Sequence, residues 1–132
     1  MEFLGKKIGE GAHRVVYEYL PDPEWVAKVL KAGDGNAKEI EHFAMLKANK
    51  LGHLVAPCRR LGKDPDVILM VRAERAEFEE GEMVKVPLFF PDFKPDNYGM
   101  LGGRLVAIDY ERMEAPTGCM RSVEWRKRGI QW

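Results

Sequence analysis

Four residues near the start of the chain are of types that can handle negatively charged groups. Gly9 and Gly11 lie between two β-prone runs, Lys28 lies in a third such run, and Glu39 follows it. Glycine allows backbone amides to approach a ligand closely, although a hairpin turn also needs glycine for conformational reasons. A lysine on the inward face of a strand is costly unless it meets an anion or extends to solvent. Each residue therefore has an ordinary structural explanation when it is taken alone.

Three short β-prone segments come first in the chain. Residues 4–8 and 15–19 predict a hairpin around the glycine-bearing turn, and residues 25–30 predict a third strand. Successive side chains of a strand point to opposite faces, so Lys28 is expected to share one face with apolar Val26. A charged side chain is thus expected among apolar ones.

An amphipathic helix is predicted next. Asn36 is suited to cap its first turn. Apolar residues then recur at steps of three and four, namely Ala37, Ile40, Ala44, Ala48 and Leu51. Glu39 is expected at one edge of the buried face and Glu41 at the opposite edge. Residues 54–61 and 67–71 predict two further strands, so the first half is expected to run β-β-β-α-β-β.

The second half of the chain has a less regular pattern. Residues 72–82 predict a short helix, although Gly81 weakens it. Residues 98–101 and 104–108 flank two glycines, which favours a tight hairpin, and an aspartate follows directly. Residues 119–132 predict one last helix.

Two motifs around this hairpin carry the strongest signal in the sequence. The first is Asp92-Phe93-Lys94-Pro95-Asp96-Asn97, and the second is Ile108-Asp109-Tyr110-Glu111. Together they resemble the protein-kinase superfamily, whose catalytic-loop pattern Asp-x-Lys-x-x-Asn falls on Asp92, Lys94 and Asn97. The metal-binding aspartate of that family falls on Asp109. The glycine loop, the strand lysine and the helix glutamate lie upstream in the family's order, so the resemblance covers the chain from about Gly9 to Glu111.

The resemblance implies an ATP site beneath the glycine-bearing hairpin. Gly9 and Gly11 would let the backbone lie close over the phosphates, and Lys28 would pair with the α and β phosphates. Glu39 would hold Lys28 extended, with Glu41 as the alternative because the sequence does not fix the rotation of the helix. Val16 and Ala27 would sandwich the adenine, and the stretch after Met70 would supply backbone hydrogen bonds. The implied nucleotide-binding residues are Gly9, Gly11, Val16, Ala27, Lys28 and Met70.

The resemblance also implies how the reaction would be divided among the remaining residues. Asn97 and Asp109 offer hard oxygen ligands suited to Mg²⁺. Asp92 would orient the acceptor hydroxyl and take its proton, and Lys94 would meet the transferred phosphoryl group. The implied catalytic residues are therefore Asp92, Lys94, Lys28 and Glu39. The first motif is more similar to Ser/Thr protein kinases and the second to aminoglycoside and choline phosphotransferases, so the acceptor class stays open.

The sequence departs from the family in two ways. Arg14 stands at the third glycine position of the loop, where its guanidinium would reach either a phosphate or, as the simpler expectation, solvent. The chain is also short for the family. The expected fold is a single minimal α+β kinase-like domain, with a five-stranded antiparallel N-lobe sheet and one helix in residues 1–71. A reduced C-lobe in residues 72–132 would carry the catalytic loop and the hairpin.

Three functional classes are compatible with these features. The first is an ATP-dependent, Ser/Thr kinase-like phosphotransferase that uses Mg²⁺ and acts on an unidentified protein or small molecule, with a possible partner subunit completing the reduced C-lobe. The second is a pseudokinase-like module that binds nucleotide and docks onto a partner. The third is a structural α+β domain with chance motif matches.

The composition excludes several other classes of protein. Of the 132 residues, 45% are hydrophobic and 32% charged, and no apolar run approaches the ~20 residues of a membrane span. Equal numbers of basic and acidic residues, 21 of each, remove the strongest argument for nucleic-acid binding. Cys58 and Cys119 are expected to be reduced, although a single disulfide between them stays open. We expect a cytoplasmic protein with neither nucleic acid nor membrane among its partners.

Overall fold

The first five strands form one antiparallel sheet. The computed structural model describes residues 1–91 and 93–126. The five strands are β1 (Leu4–Glu10), β2 (Arg14–Tyr19), β3 (Trp25–Leu30), β4 (Cys58–Arg60) and β5 (Val67–Val71). They are ordered β1-β2-β3-β5-β4, and a helix lies between β3 and β4 in the chain. The predicted α+β class, with a five-stranded antiparallel sheet and one helix, is confirmed.

The two faces of this sheet have different neighbours. Lys28 of β3 pairs with Val16 of β2 and Ile68 of β5, so these three side chains share a face. Val26 lies on this same face, and it packs into the larger of two apolar clusters together with Ile68. Ala27 points the other way, into a smaller cluster. The predicted alternation along β3 is confirmed, and it places Lys28 on the side of the main core.

Helix α1 (Gly35–Ala48) is rotated differently from the prediction. Its buried positions include Asn36, Glu39 and Leu46, whereas Ala44 and Ala48 are exposed. Alanine side chains bury little apolar area, so burying Ala44 and Ala48 would stabilise the helix packing only slightly. The ion pairing of the Glu39 carboxylate has the larger effect on the rotation of the helix. Glu39 therefore lies within the buried face, and its predicted position at the edge was wrong.

The predicted N-cap of this helix was also wrong. Asp34 holds the N-cap position without a side-chain hydrogen bond to the helix. The Asn36 amide instead donates to the backbone oxygens of Lys28 at 3.1 Å and Pro65 at 3.2 Å. These bonds tie the start of α1 to the sheet and satisfy a fully buried polar side chain.

A second, three-stranded sheet is built around the predicted hairpin. Its strands are β6 (Glu74–Arg75), β8 (Tyr98–Leu101) and β9 (Arg104–Ala107), in the order β6-β8-β9. Gly102 and Gly103 connect β8 to β9 with φ values of 59° and 77°, which favour glycine. The hairpin prediction is confirmed, with its second strand one residue shorter than expected.

The two helices predicted for the second half are wrong for the residues that the structure describes. Residues 72–82 contain the short strand β6 and turns, and β7 (Met83–Pro87) follows. Strand β7 pairs with β10 (Met120–Glu124), which replaces the predicted last helix. Burial alternates along β7 with period two, which is typical of a strand. Residues 127–132 of the predicted helix lie outside the described residues.

One apolar core joins the two halves of the chain. It contains Leu46 and Met70 from the first half and Tyr98, Val106 and Tyr110 from the second. A parallel bridge between Val55 and Ala107 links the segment before β4 to the end of β9. Residues 54–61 thus form less strand than predicted, because β4 covers only Cys58–Arg60. Among the described residues, no helix has the length and apolar character to cross a membrane.

Candidate functional site

Lys28 and Glu39 form a buried ion pair between β3 and α1. Lys28 Nζ lies 2.8 Å from Glu39 Oε1, and the two side chains are 5% and 0% exposed. Glu41 is exposed on the helix. A buried charge is tolerated only when a partner offsets its lost hydration, so each residue needs the other. Of the two glutamates left open by the sequence, Glu39 is the one that contacts Lys28.

The ammonium group of Lys28 also contacts the second half of the chain. It donates to the backbone carbonyl of Ile108, the residue that directly precedes Asp109. Strand β9 ends at Ala107, so the chain leaves the hairpin at this point. This hydrogen bond, together with the ion pair to Glu39, therefore brings the five-stranded sheet, α1 and the segment of the predicted metal-binding residue Asp109 together.

Arg14 lies at the centre of the same cluster. Its Nη1 donates to Glu39 Oε1 at 2.7 Å, and its Nη2 donates to Glu39 Oε2 at 3.2 Å and to Asp109 Oδ1 at 3.0 Å. Nη1 also donates to Asn36 Oδ1 at 3.2 Å, and Glu111 Oε2 lies 3.7 Å from Nη2. The side chain is only 8% exposed, so the expectation that it points to solvent was wrong.

The register of β2 explains why Arg14 turns inward. Val16 pairs with Lys28 and Arg14 pairs with Leu30, so Arg14 lies on the sheet face that carries Lys28. Three carboxylates lie within 4 Å of the guanidinium. Because a guanidinium presents several donors in one plane, it can contact more than one carboxylate at once. Sequence reasoning missed this role, although the period-two alternation from Val16 already placed Arg14 on the inward face.

The cluster shifts the ionisation of its own members. Burial acts to raise the pKa of Glu39, but the charges of Lys28 and Arg14 and their hydrogen bonds outweigh it, so the pKa is lowered. Burial acts to lower the pKa of Arg14, but the charge and hydrogen bond of Glu39, together with the charges of Asp109 and Glu111, outweigh it, so that pKa is raised. The ionised forms of both residues are thus favoured by the fold.

Tyr110 fixes the segment that follows Asp109. Its backbone N–H donates to Glu39 Oε2 at 2.7 Å, and its hydroxyl donates to the backbone oxygen of Ala56 at 2.7 Å. The hydroxyl also contacts Cys58 Sγ at 3.2 Å. Burial raises the pKa of Tyr110, so the hydroxyl stays a donor. The residue has no role in the sequence prediction, and its aromatic type after the aspartate was the available signal.

Asn97 and Asp109 lie at the base of the hairpin. The backbone N–H of Ile108 donates to the backbone oxygen of Asn97 at 2.7 Å, so the backbone of Asn97 lies beside the residue that precedes Asp109. The Asp109 side chain is 45% exposed and offers oxygen donors, the type that Mg²⁺ requires. The described residues contain no group of three or more His, Cys, Asp or Glu side chains that could hold a metal ion. Two protein ligands together with phosphate oxygens remain compatible with Mg²⁺.

The catalytic-loop residues are described only in part. Asp92, the predicted proton acceptor, lies outside the described residues. Lys94 is exposed, and its backbone oxygen accepts a hydrogen bond from Asn97 N at 2.9 Å. This bond closes a 3-10 turn over Pro95–Asn97. The turn carries the chain from Lys94 into β8 and so positions Asn97 beside the end of β9.

Gly9 and Gly11, the two glycines of the hairpin formed by β1 and β2, are not required by the fold around them. Gly9 lies in β1, and a Cβ atom built on it would be 3.9 Å from Val16 Cβ, an ordinary contact. A Cβ on exposed Gly11 would have no described atom within 4 Å. Neither residue has a positive φ. The conformational explanation for these glycines therefore does not apply.

The residues predicted to enclose the adenine do not face one another. Val16 lies on the face of Lys28, whereas Ala27 points to the opposite face and is fully buried there. Period-two alternation separates Ala27 from Lys28, so Ala27 cannot line the same cleft as Lys28, whereas Val26 lies on the face of Lys28. Met70 is buried on the face of Val26, with which it pairs.

The stretch after Met70 has less free backbone than predicted. The N–H of Val71 donates to Pro57 O at 2.9 Å, and the N–H of Arg72 donates to Glu24 O at 2.8 Å. These two donors are used within the protein. A nucleotide base would need backbone N–H donors beyond Arg72.

A shallow depression of about 330 Å³ lies beside the cluster. It is lined by Lys38, His42, Pro91, Glu111, Arg112, Met113 and Glu114. His42 Nδ1 is 2.7 Å from the backbone oxygen of Tyr110. Because a carbonyl only accepts hydrogen bonds, Nδ1 carries the proton, which leaves Nε2 of neutral His42 as an acceptor. The depression thus connects Glu111 of the cluster to Pro91, the residue before Asp92.

Comparison with known proteins adds no family assignment. No protein-family model matches the chain. A search of curated proteins likewise finds no match.

Proposed function

We propose that this chain is an ATP-dependent phosphotransferase with a minimal protein-kinase-like fold. It would transfer the γ-phosphate of Mg-ATP to a hydroxyl acceptor such as a Ser or Thr side chain or a small molecule. The observation that carries the proposal is the position of Lys28 Nζ, which is 2.8 Å from Glu39 and bonded to the carbonyl beside Asp109. A buried lysine held by a helix carboxylate next to a half-exposed aspartate is suited to bind a phosphate chain together with a divalent cation.

Each residue of the proposed site has a distinct task. Lys28 binds phosphate oxygens, and Glu39 keeps the side chain of Lys28 extended across the fold. The backbone from Gly9 to Gly11 lets phosphate oxygens approach at close range, while the Gly11 N–H donates to the backbone oxygen of Arg14 at 2.8 Å and shapes the turn. Asn97 and Asp109 hold Mg²⁺, which neutralises the charge that develops on the phosphoryl group during transfer.

Two residues of the catalytic loop complete the proposed reaction. Asp92 orients the acceptor hydroxyl and takes its proton, and Lys94 stabilises the transferred group. The proposal places residues 1–71 as an upper lobe and residues 72–132 as a reduced lower lobe. A partner subunit would supply part of the surface that holds a large acceptor.

A pseudokinase-like binding module is the second candidate. The observation that favours it is the 3.0 Å bond between Arg14 Nη2 and Asp109 Oδ1, because this bond uses an oxygen that the metal would need. A module of this kind would bind nucleotide, dock onto a partner and transfer no phosphate.

A phosphate-transfer assay distinguishes the candidates. The protein is incubated with Mg²⁺ and γ-labelled ATP, alone and with candidate acceptors, beside the variants Asp92→Asn and Asp109→Asn. Asp66→Asn, an exposed aspartate in the turn before β5, is the matched control. Transfer or ADP release by the wild type and the control, with loss in both site variants, supports catalysis. A rise in melting temperature with Mg-ATP but no turnover supports the binding module, and no rise at all contradicts both.

A further inference from the structure

We propose that Arg14 is a built-in competitor of the divalent cation at Asp109. The inference rests on the proposed function and concerns the regulation of the same site. The guanidinium contacts the carboxylate that the cation needs, so cation binding requires that Arg14 release Asp109. The affinity of the site for the cation is then set by Arg14.

The hydrogen bonds of Arg14 show which contact would break. Nη1 is directed to Glu39 at 2.7 Å and to Asn36 at 3.2 Å, and both of these partners are fully buried. Nη2 is directed to Glu39 at 3.2 Å and to Asp109 at 3.0 Å. Asp109 is 45% exposed, so it is the partner that a cation from solvent can approach. Release of Asp109 leaves the bonds to Glu39 and Asn36 in place, and Arg14 stays paired.

The charges of the cluster favour the replacement of the Arg14 guanidinium by a divalent cation at Asp109. Arg14 and Lys28 are two cations, and Glu39, Asp109 and Glu111 are three carboxylates, so one negative charge is left over. Lys28 and Arg14 share the carboxylate of Glu39. A divalent cation at Asp109 therefore enters a site that is already partly neutralised, and it must compete with the guanidinium for Oδ1 of the same carboxylate.

A phosphate-binding role for Arg14 is the main rival explanation. In that case the guanidinium would leave the carboxylates and contact the nucleotide directly. Both Nη atoms are engaged with buried or half-buried partners, and the side chain is only 8% exposed. Competition for Asp109 needs one contact to change, whereas phosphate binding needs several, which is why we favour competition.

The experiment measures cation binding and does not depend on turnover. Mn²⁺ is titrated in the presence of a non-hydrolysable ATP analogue, and bound Mn²⁺ is followed by electron paramagnetic resonance. The variants are Arg14→Lys, which keeps a charge for Glu39 but has one ammonium in place of the two Nη groups that contact Glu39 and Asp109, and Arg14→Gln. Arg72→Lys is the matched control, because Arg72 is an exposed arginine paired with Glu18 at 3.3 Å. Asp109→Asn tests whether the aspartate binds the cation.

The proposal predicts tighter Mn²⁺ binding in the Arg14 variants. We expect about a tenfold lower Kd in Arg14→Lys, no change in Arg72→Lys, and loss of binding in Asp109→Asn. Binding that is unchanged or weaker in the Arg14 variants, with loss in Asp109→Asn, overturns the competition while the proposed function stands. Weaker binding of the analogue itself would identify Arg14 as a phosphate ligand. No binding by the wild type overturns the proposed function as well.

A measurement on the wild type keeps the proposal testable if the variants fail to fold. The guanidinium ¹⁵N resonances of Arg14 are followed by NMR as Mg²⁺ and the analogue are added together and separately. We expect these resonances to shift and exchange faster with solvent when both are present. Resonances that stay unchanged at saturation overturn the competition.

Discussion

The backbone N–H of Tyr110 donates to Oε2 of Glu39 at 2.7 Å, although 71 positions separate the two residues. Glu39 also accepts hydrogen bonds from Lys28 and from both Nη atoms of Arg14. An ionised carboxylate has about four acceptor sites, so its capacity is filled. Because Tyr110 follows Asp109 directly, the same carboxylate that holds Lys28 also fixes the position of the predicted metal ligand.

Replacing Glu39 is expected to destabilise the fold strongly. Glu39→Gln removes the charge that offsets buried Lys28 and Arg14, and breaking such a buried pair costs about 3 kcal/mol or more. Glu41→Gln, on the exposed side of the same helix, is expected to change the free energy of unfolding by less than about 0.5 kcal/mol. Urea denaturation of both variants measures the difference. Equal stabilities for the two variants would contradict the importance of the cluster.

Acid is expected to unfold the protein through the same residue. The pKa of Glu39 is lowered in the folded state, where Lys28 and Arg14 offset the burial of its charge, from an ordinary value of 4.5. The stabilisation from this shift is therefore fully present above the unfolded pKa and is lost as the pH falls through the folded pKa. Urea midpoints recorded from about pH 7 to about pH 3 should fall at the acid end. A midpoint that stays constant or rises below about pH 4.5 would be inconsistent with this shift.

Gly11 is expected to matter for nucleotide binding and not for stability. A Cβ on Gly11 meets no described atom within 4 Å, and the residue has no positive φ. Gly11→Ala should therefore change the free energy of unfolding by less than about 0.5 kcal/mol, while the added methyl group separates the backbone from the phosphates. We expect about a tenfold weaker affinity for Mg-ATP, measured by calorimetry.

Gly118 provides the matched control for this substitution. Like Gly11, it has no described atom within 4 Å of a built Cβ and no positive φ, but it lies in the loop before β10. Gly118→Ala should leave both stability and nucleotide affinity unchanged. If Gly11→Ala binds Mg-ATP as tightly as Gly118→Ala, the hairpin does not contact the phosphates.

The two cysteines are expected to differ in reactivity. Both are free thiols, Cys58 buried and Cys119 exposed. Burial raises the pKa of Cys58 to about 11, so at about pH 8 only about one thiol in a thousand is ionised. Alkylation of the native protein followed by mass spectrometry should modify Cys119 quickly and Cys58 only after denaturation. Rapid labelling of both residues in the native state would indicate that the core around Tyr110 opens readily.

The regular alternation of side chains along the strands made the five-stranded sheet and the hairpin of β8 and β9 predictable from the sequence. The strand over Trp25–Leu30 and the hairpin at Gly102 and Gly103 rest on period-two patterns and glycine turns, which are local signals. The strands β7 and β10 were missed because each is stabilised by pairing with a segment far along the chain. Local patterns do not contain that information.

The candidate site was predictable only in part for a related reason. The pairing of Lys28 with one of two glutamates was implied by the resemblance to protein kinases, but the choice of Glu39 depends on the rotation of α1, which tertiary contacts decide. The burial of Arg14 depends on three carboxylates, two of them from the other end of the chain. Ala27 was misassigned because the motif's order was given more weight than the alternation of its strand.

The long separations within the charged cluster also constrain how a nascent chain matures. The bonds that join Lys28 to Ile108, Glu39 to Tyr110 and Arg14 to Asp109 span 80, 71 and 95 positions. During translation, Lys28 and α1 are synthesised long before Ile108 and Tyr110, whose backbone carbonyl and amide groups are their hydrogen-bond partners. Contacts of such separation form slowly, because the intervening chain must first be ordered. We therefore expect the site to assemble as one of the last steps of folding.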